Sequence, residues 1–121
     1  MVARRMIVIG ALGAALAMVG ISPAVASTDT LSLTAVVVDQ TCLNGDTVQV
    51  DLSAQVETTS PAKFQWDFTN DGTWDTARLT SPDVTHNYPD EVNDTAKIRG
   101  RNQEGNRATD TVTFQTLRCE N

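Results

Sequence analysis

Four stretches of the chain beyond Leu31 keep a period of two. Between Thr47 and Glu57, Val48, Val50, Leu52, Ala54 and Val56 fall on one parity, and Gln49, Asp51, Ser53, Gln55 and Glu57 on the other. That is the alternation of a strand with one buried and one wet face. Phe64, Trp66 and Phe68 repeat the pattern with rings, while Gln65 and Asp67 take the opposite face. Thr95–Arg101 sets Ala96, Ile98 and Gly100 against Lys97, Arg99 and Arg101, and Thr109–Thr116 sets Val112 and Phe114 against Thr111, Thr113 and Gln115. Leu31–Val38 is β-branched and favours a strand. Thr76–Thr80 and Val84–Tyr88 are expected to be short extended pieces.

Turn signals separate these runs. Asp39–Asp46 with Asn44-Gly45, Thr58–Pro61, Ser81-Pro82-Asp83 and Pro89–Asp94 are expected loops, and Glu104-Gly105-Asn106 an expected hairpin turn. Asn70-Asp71-Gly72 supplies residues that tolerate positive φ, so the aromatic strand can reverse into another beginning near Thr73. No segment has a helical period. About seven short strands with no second composition regime predict an all-β fold, one antiparallel β-sandwich.

The first 26 residues stand apart. Arg4-Arg5, an apolar run from Met6 to Ile21 and the small-residue site Ala24-Val25-Ala26 predict a cleaved secretory leader over 1–26 and a single domain over 27–121. A membrane anchor is the weaker reading, because the run is shorter than the roughly 20 residues a bilayer span needs. No cysteine follows it to carry a lipid. Residues 27–121 hold seven basic residues against fifteen acidic ones, a formal charge of −8. Nucleic acid and anionic membrane are therefore not expected partners. Cys42 and Cys119 are the two cysteines, and in an exported domain they are expected to form one disulfide.

Trp66-Asp67-Phe68, the acidic-glycine turn after it, His86-Asn87-Tyr88, and an alternating strand ending at Asn102 with Gly105 soon after resemble the PKD (polycystic-kidney-disease-type) domain over residues 35–117. The resemblance implies an immunoglobulin-like sandwich whose core motif is Trp66, Phe68 and Tyr88. It also implies an extracellular module used as a spacer, or as a surface for proteins or polysaccharides, without catalysis of its own. In such a sandwich the first strand runs beside the last, so Cys42 and Cys119 would meet at one end. Two departures from the family pattern stand out. The turn reads Thr69-Asn70-Asp71-Gly72 in place of Gly-Asp-Gly, and Gly100 occupies a position that tends to be bulky and apolar.

Four groups are candidates for chemistry. Asp67, Thr69, Asp71, Gly72 and Asp75 fall at positions 1, 3, 5, 6 and 9 of a calcium-loop pattern, but position 12 is Arg78 where a bidentate Glu is needed. An EF-hand is thereby rejected. A looser site from Asn70, Asp71 and Asp75, with Ca2+ as its ion, stays open beside the reading of a self-capping turn. Lys97, Arg99 and Arg101 share one strand face and are either paired surface charge, with Arg99 across from Asp67, or a basic stripe for an anionic polymer or acidic partner. Tyr88 is expected to bury its ring at a strand corner and hydrogen-bond backbone, with His86 in loop hydrogen bonding. Trp74 faces either the core or solvent, and in solvent it is a candidate for stacking on a sugar or filling a partner's pocket. Asn93-Asp94-Thr95 is also an N-glycosylation acceptor pattern.

No nucleophile–base pair, metal triad or phosphate loop is legible, so an enzyme is not expected, nor is a cofactor beyond that ion. The leading expectation is a secreted or cell-surface-associated monomer that binds an extracellular protein or polysaccharide. A structural spacer of the cell envelope and a small secreted enzyme inhibitor are the alternatives.

Overall fold

The structure is a computed structural model and describes residues 30–120; the expected leader lies outside the described residues. Six strands follow one another: β1 (Leu31–Cys42), β2 (Thr47–Thr58), β3 (Ala62–Asp67), β4 (Val84–Pro89), β5 (Asn93–Asn102) and β6 (Arg107–Gln115). They form two antiparallel sheets in the orders β1-β2-β4 and β3-β5-β6. In β2, β3, β5 and β6 the apolar parity turns inward as the alternation predicts. Val48, Val50, Trp66, Ala96 and Ile98 are wholly buried, and Leu33, Leu52, Phe64 and Tyr88 complete the layer between the sheets. Trp66 is wholly buried in that layer, with its indole N–H donating to the Pro82 carbonyl at 2.8 Å.

The expected seventh strand does not form. In its place Thr73–Leu79 runs as a strap along the free edge of β3. Asp75 N donates to Trp66 O, and Phe64 and Leu79 exchange both backbone bonds, the one bridge of the segment. Between these points the Thr76 side chain takes the partner's part: its hydroxyl accepts from Trp66 N at 3.1 Å. A side chain standing where a backbone carbonyl belongs interrupts the ladder, and the strap covers the edge without becoming a strand. β3 also ends one residue early, so Phe68 lies just beyond it, still buried.

β1 is longer than expected and reaches Cys42. The register shifts between Val37 and Asp39, so the unbroken run Val36-Val37-Val38 is absorbed by a bulge and Val38 is left exposed. β1 is hydrogen-bonded to β2, yet its side chains and amides also engage β6 of the other sheet. Ala35 N donates to Asp110 Oδ2 at 2.8 Å, and Gln40 Nε2 donates to Gln115 O while its Oε1 accepts from Leu117 N. The first two contacts share an offset of 75 residues, so β1 and β6 run parallel. Their ends therefore coincide, and the Cys42–Cys119 disulfide joins them there with Cα atoms 5.7 Å apart. After β6, Thr116 is buried, with its hydroxyl bonded to Pro89 O and Val92 N, and Cys119 N donates to Asp90 Oδ2.

Gly100 lies on the inner face of β5 and is buried, opposite Phe64. A Cβ there would stand 3.1 Å from the Phe64 ring and 3.3 Å from a Leu33 methyl. The volume that a larger residue would fill is taken by its neighbours.

Candidate functional site

The turn after β3 is built on Asp67. Alternation puts its side chain on the outer face, where exposure is expected, but the chain folds back over it and leaves it 1% exposed. Its Oδ2 accepts from Gly72 N at 2.8 Å, and its Oδ1 from Asp71 N at 3.1 Å and Thr69 N at 3.4 Å. Burial works to raise this carboxyl, but those amides, Gly72 and Asp71 foremost, hold it below the ordinary carboxylate value. Asn70 at φ 55° and Gly72 at φ 94° supply the left-handed backbone that brings the amides round. The unusual Thr69-Asn70-Asp71-Gly72 turn thus caps a buried carboxylate.

Asp67, Asp71 and Asp75 each present an oxygen within 4.8 Å of the others. The cluster includes Asp67 where the sequence nominated Asn70. Its oxygens already have protein donors, since Asp75 Oδ2 accepts from Phe68 N and Asp71 Oδ1 from Thr73 N. Three carboxylates reach calcium's six to eight oxygens only by binding bidentate or with carbonyl or water ligands added, and here their oxygens first of all fold the turn.

Tyr88 is buried and donates its hydroxyl to Phe68 O at 2.7 Å, the backbone bond expected of it. Burial, then the Asp94, Asp75 and Asp67 carboxylates, push the phenol well above its usual range, so it remains a donor. His86 departs from the sequence reading. Rather than hydrogen-bonding a loop it stacks on Phe68, centroids 4.1 Å apart and planes 12° apart, and meets Tyr88 edge-on. Burial lowers its pKa against the pull of Asp75 and Asp94, so it stays neutral at neutral pH. It is a packing ring.

The outer face of β3-β5-β6 gathers the remaining candidates. Register sets Gln65, not Asp67, opposite Arg99, and Lys97 opposite Asp67, which corrects the expected Arg99–Asp67 pairing. Arg99 donates to Gln65 Oε1 from Nε at 3.1 Å and from Nη2 at 2.7 Å. Gln65 Nε2 in turn donates to Thr76 O in the strap. Trp74, carried on the strap, faces neither core nor open solvent. Its half-buried ring lies against Arg99, whose guanidinium carbon is 4.3 Å from the ring centroid, and near Lys97 at 5.7 Å.

One row further along, Lys63, Arg101 and Arg107 occupy directly opposite positions on three adjacent strands. With Lys97, Arg99 and Arg78 they line one open groove beside Trp74. These are six of the seven basic residues of 27–121. Among the described residues the ion pairs belong to Arg118, with Glu91 and Glu120; the six in the groove have no carboxylate partner there. Like charges directly opposite in a sheet are destabilising. The sequence nominated Lys97, Arg99 and Arg101 as one stripe and Trp74 apart from it; the fold unites the two and adds Lys63, Gln65, Arg78 and Arg107. Arg107 was within reach of sequence reasoning, since a hairpin about Glu104-Gly105-Asn106 sets it opposite Arg101.

Among the described residues no helix is long and apolar enough to cross a membrane. No curated protein and no solved structure matches the chain. The family model described as PKD domain matches residues 15–116. With that match and an immunoglobulin-like sandwich carrying the Trp66, Phe68 and Tyr88 core, the chain belongs to the PKD domain family.

Proposed function

We propose that this chain is a secreted, non-catalytic binding module that works through the outer face of its β3-β5-β6 sheet. PKD domains are immunoglobulin-like interaction modules of extracellular proteins, and the family is not catalytic in its own right. What supports this reading is the segregation of charge. In a domain of formal charge −8, six of seven cations stand on one face beside Trp74 without carboxylate partners. A spacer has no use for such a face, whereas a binding module does, because an opposite charge on the ligand relieves the repulsion. An inhibitor needs a protruding loop, but the strap packs along β3. The partner is an extracellular polymer or protein, the module acts as a monomer, and neither a cofactor nor calcium enters the reading.

The test is retention on isolated cell-envelope material of oxidised 27–121 and of a Lys97→Glu/Arg99→Glu variant. Parent retained and variant released is the expected result. Equal retention of both would remove this face from function.

A further inference from the structure

We infer that the ligand of this face is an anionic polysaccharide, a chain of sugars bearing carboxylates or sulfates; the inference rests on the binding reading above. Three observations point to that chemistry. First, the cations are periodic. Lys63, Arg101 and Arg107 cross three strands in one register row, a spacing of about 4.8 Å from strand to strand. Lys97, Arg99 and Arg101 descend β5 on the same face, at about 6.7 Å per step. Such an array fits a linear polymer with regularly repeated charge better than a single anion.

Second, the groups between the cations are polar and neutral. Thr109 and Thr111 stand opposite Arg99 and Lys97 on β6, and Gln65 on β3. Four of the six cations are arginines, which suit bidentate contact with carboxylate or sulfate oxygens. Arg99 is already oriented by Gln65 and the Trp74 ring, so little freedom is lost on binding.

Third, the face offers little of the free aromatic surface on which a peptide or protein partner packs. The outward residues of β6, from Arg107 through Thr109, Thr111 and Thr113 to Gln115, are exposed and polar, and the ring of Trp74 lies under Arg99. The groove has apolar lining from Val56, Pro61, Ala62, Pro82 and Ala108, but its two aromatic rings are withdrawn, Phe64 buried and Trp74 held against Arg99, so it offers no free aromatic anchor of the kind that dominates protein interfaces. Strand addition at β3 is also blocked, because the strap holds that edge. A hydrated, hydroxyl-rich polyanion makes neither demand.

The experiment is affinity electrophoresis of oxidised 27–121 through gels holding polygalacturonate, dextran sulfate, neutral dextran or poly-L-glutamate, repeated over a salt series. Retardation by the two anionic polysaccharides and not by neutral dextran is expected. Affinity should fall about 100-fold over a tenfold rise in salt if three cations displace counterions, taking single-stranded polyanions as the guide. Arg101→Gln/Arg107→Gln should lose at least tenfold in affinity, yet melt no lower than the parent because a like-charge row is relieved; that melting control separates lost binding from lost fold. Arg99→Gln should weaken binding as well. Retardation by poly-L-glutamate equal to or above that by the polysaccharides would overturn the sugar assignment and leave the face as a site for acidic protein. No retardation by either anionic polysaccharide would overturn the inference, while the envelope test with Lys97→Glu/Arg99→Glu still decides the binding reading independently.

Discussion

Replacing Asp67 with asparagine keeps its size and removes its charge. In the fold the carboxylate accepts from Gly72 N on one oxygen, and from Asp71 N and Thr69 N on the other. Asn retains one oxygen and turns an NH2 toward the remaining amide donors, so at least one charge-assisted bond is lost and a buried donor is left opposed. Hydrogen bonds to charged groups contribute about 1.5–3 kcal/mol each, and an unsatisfied buried donor costs about 1–3 kcal/mol. A loss of about 2–4 kcal/mol follows for Asp67→Asn, out of a total of about 5–15 kcal/mol for a small domain. At about 4–8 °C per kcal/mol, Tm should drop by roughly 8–32 °C.

The pH dependence has a defined sign. The amides hold the Asp67 carboxyl below its ordinary value in the fold, so the unfolded chain takes up the proton first as pH falls. The stabilisation is complete above the ordinary value of about 3.9 and disappears as pH falls through the lowered one. Thermal melts of parent and variant, followed by circular dichroism from neutral to acid pH, should show a wide gap that closes in acid. A gap of under about 2 °C at neutral pH, or one that stays constant into acid, would refute the capping role of Asp67. Because the strap starts at this turn, the variant should also leave Trp74 more open to iodide quenching than in the parent.

Two further outcomes concern the frame. Cys42→Ser/Cys119→Ser removes the closure of residues 43–118, and by the chain-entropy estimate it should cost up to about 4 kcal/mol; urea unfolding with an unchanged midpoint would contradict a stabilising bond. Gly100→Val must displace the Phe64 ring and the Leu33 methyl, and should cost about 1–3 kcal/mol as an overpacked core. Adding Phe64→Leu should recover part of that loss, and no recovery would mean that the crowding lies elsewhere.

The fold was legible wherever one residue in two is apolar. Val48–Val56, Phe64–Trp66, Ala96–Ile98 and Val112–Phe114 all lie on the side their parity assigned. Legibility failed where side chains took over backbone roles. Nothing in Thr73–Leu79 announces that the Thr76 hydroxyl will stand in for a carbonyl, so a strap read as a strand. Asp67 read as an outward-facing partner for Arg99 because parity reports which face a residue is on, not whether the chain will fold over it. The basic face was half legible. Lys97, Arg99 and Arg101 declared themselves on one strand, but Lys63 joined them only through the β3–β5 register, a long-range fact that local periodicity does not carry.

The parallel seam between β1 and β6 also decides how the domain bears load. Tension between Thr30 and Glu120 enters along β1, crosses the Cys42–Cys119 bond and leaves at once by the tail. Residues 43–118 sit outside that path, and their contour of roughly 250 Å stays locked however hard the chain is drawn. With the bond intact the β1 backbone itself carries the tension; once the bond is reduced, the β1 contacts with β2 and β6 take the load, in shear because β1 and β6 run parallel, and many must yield together before β1 slides. A reducing environment would release the hidden length, which makes the oxidised domain a short, stiff link and the reduced one an extensible tether.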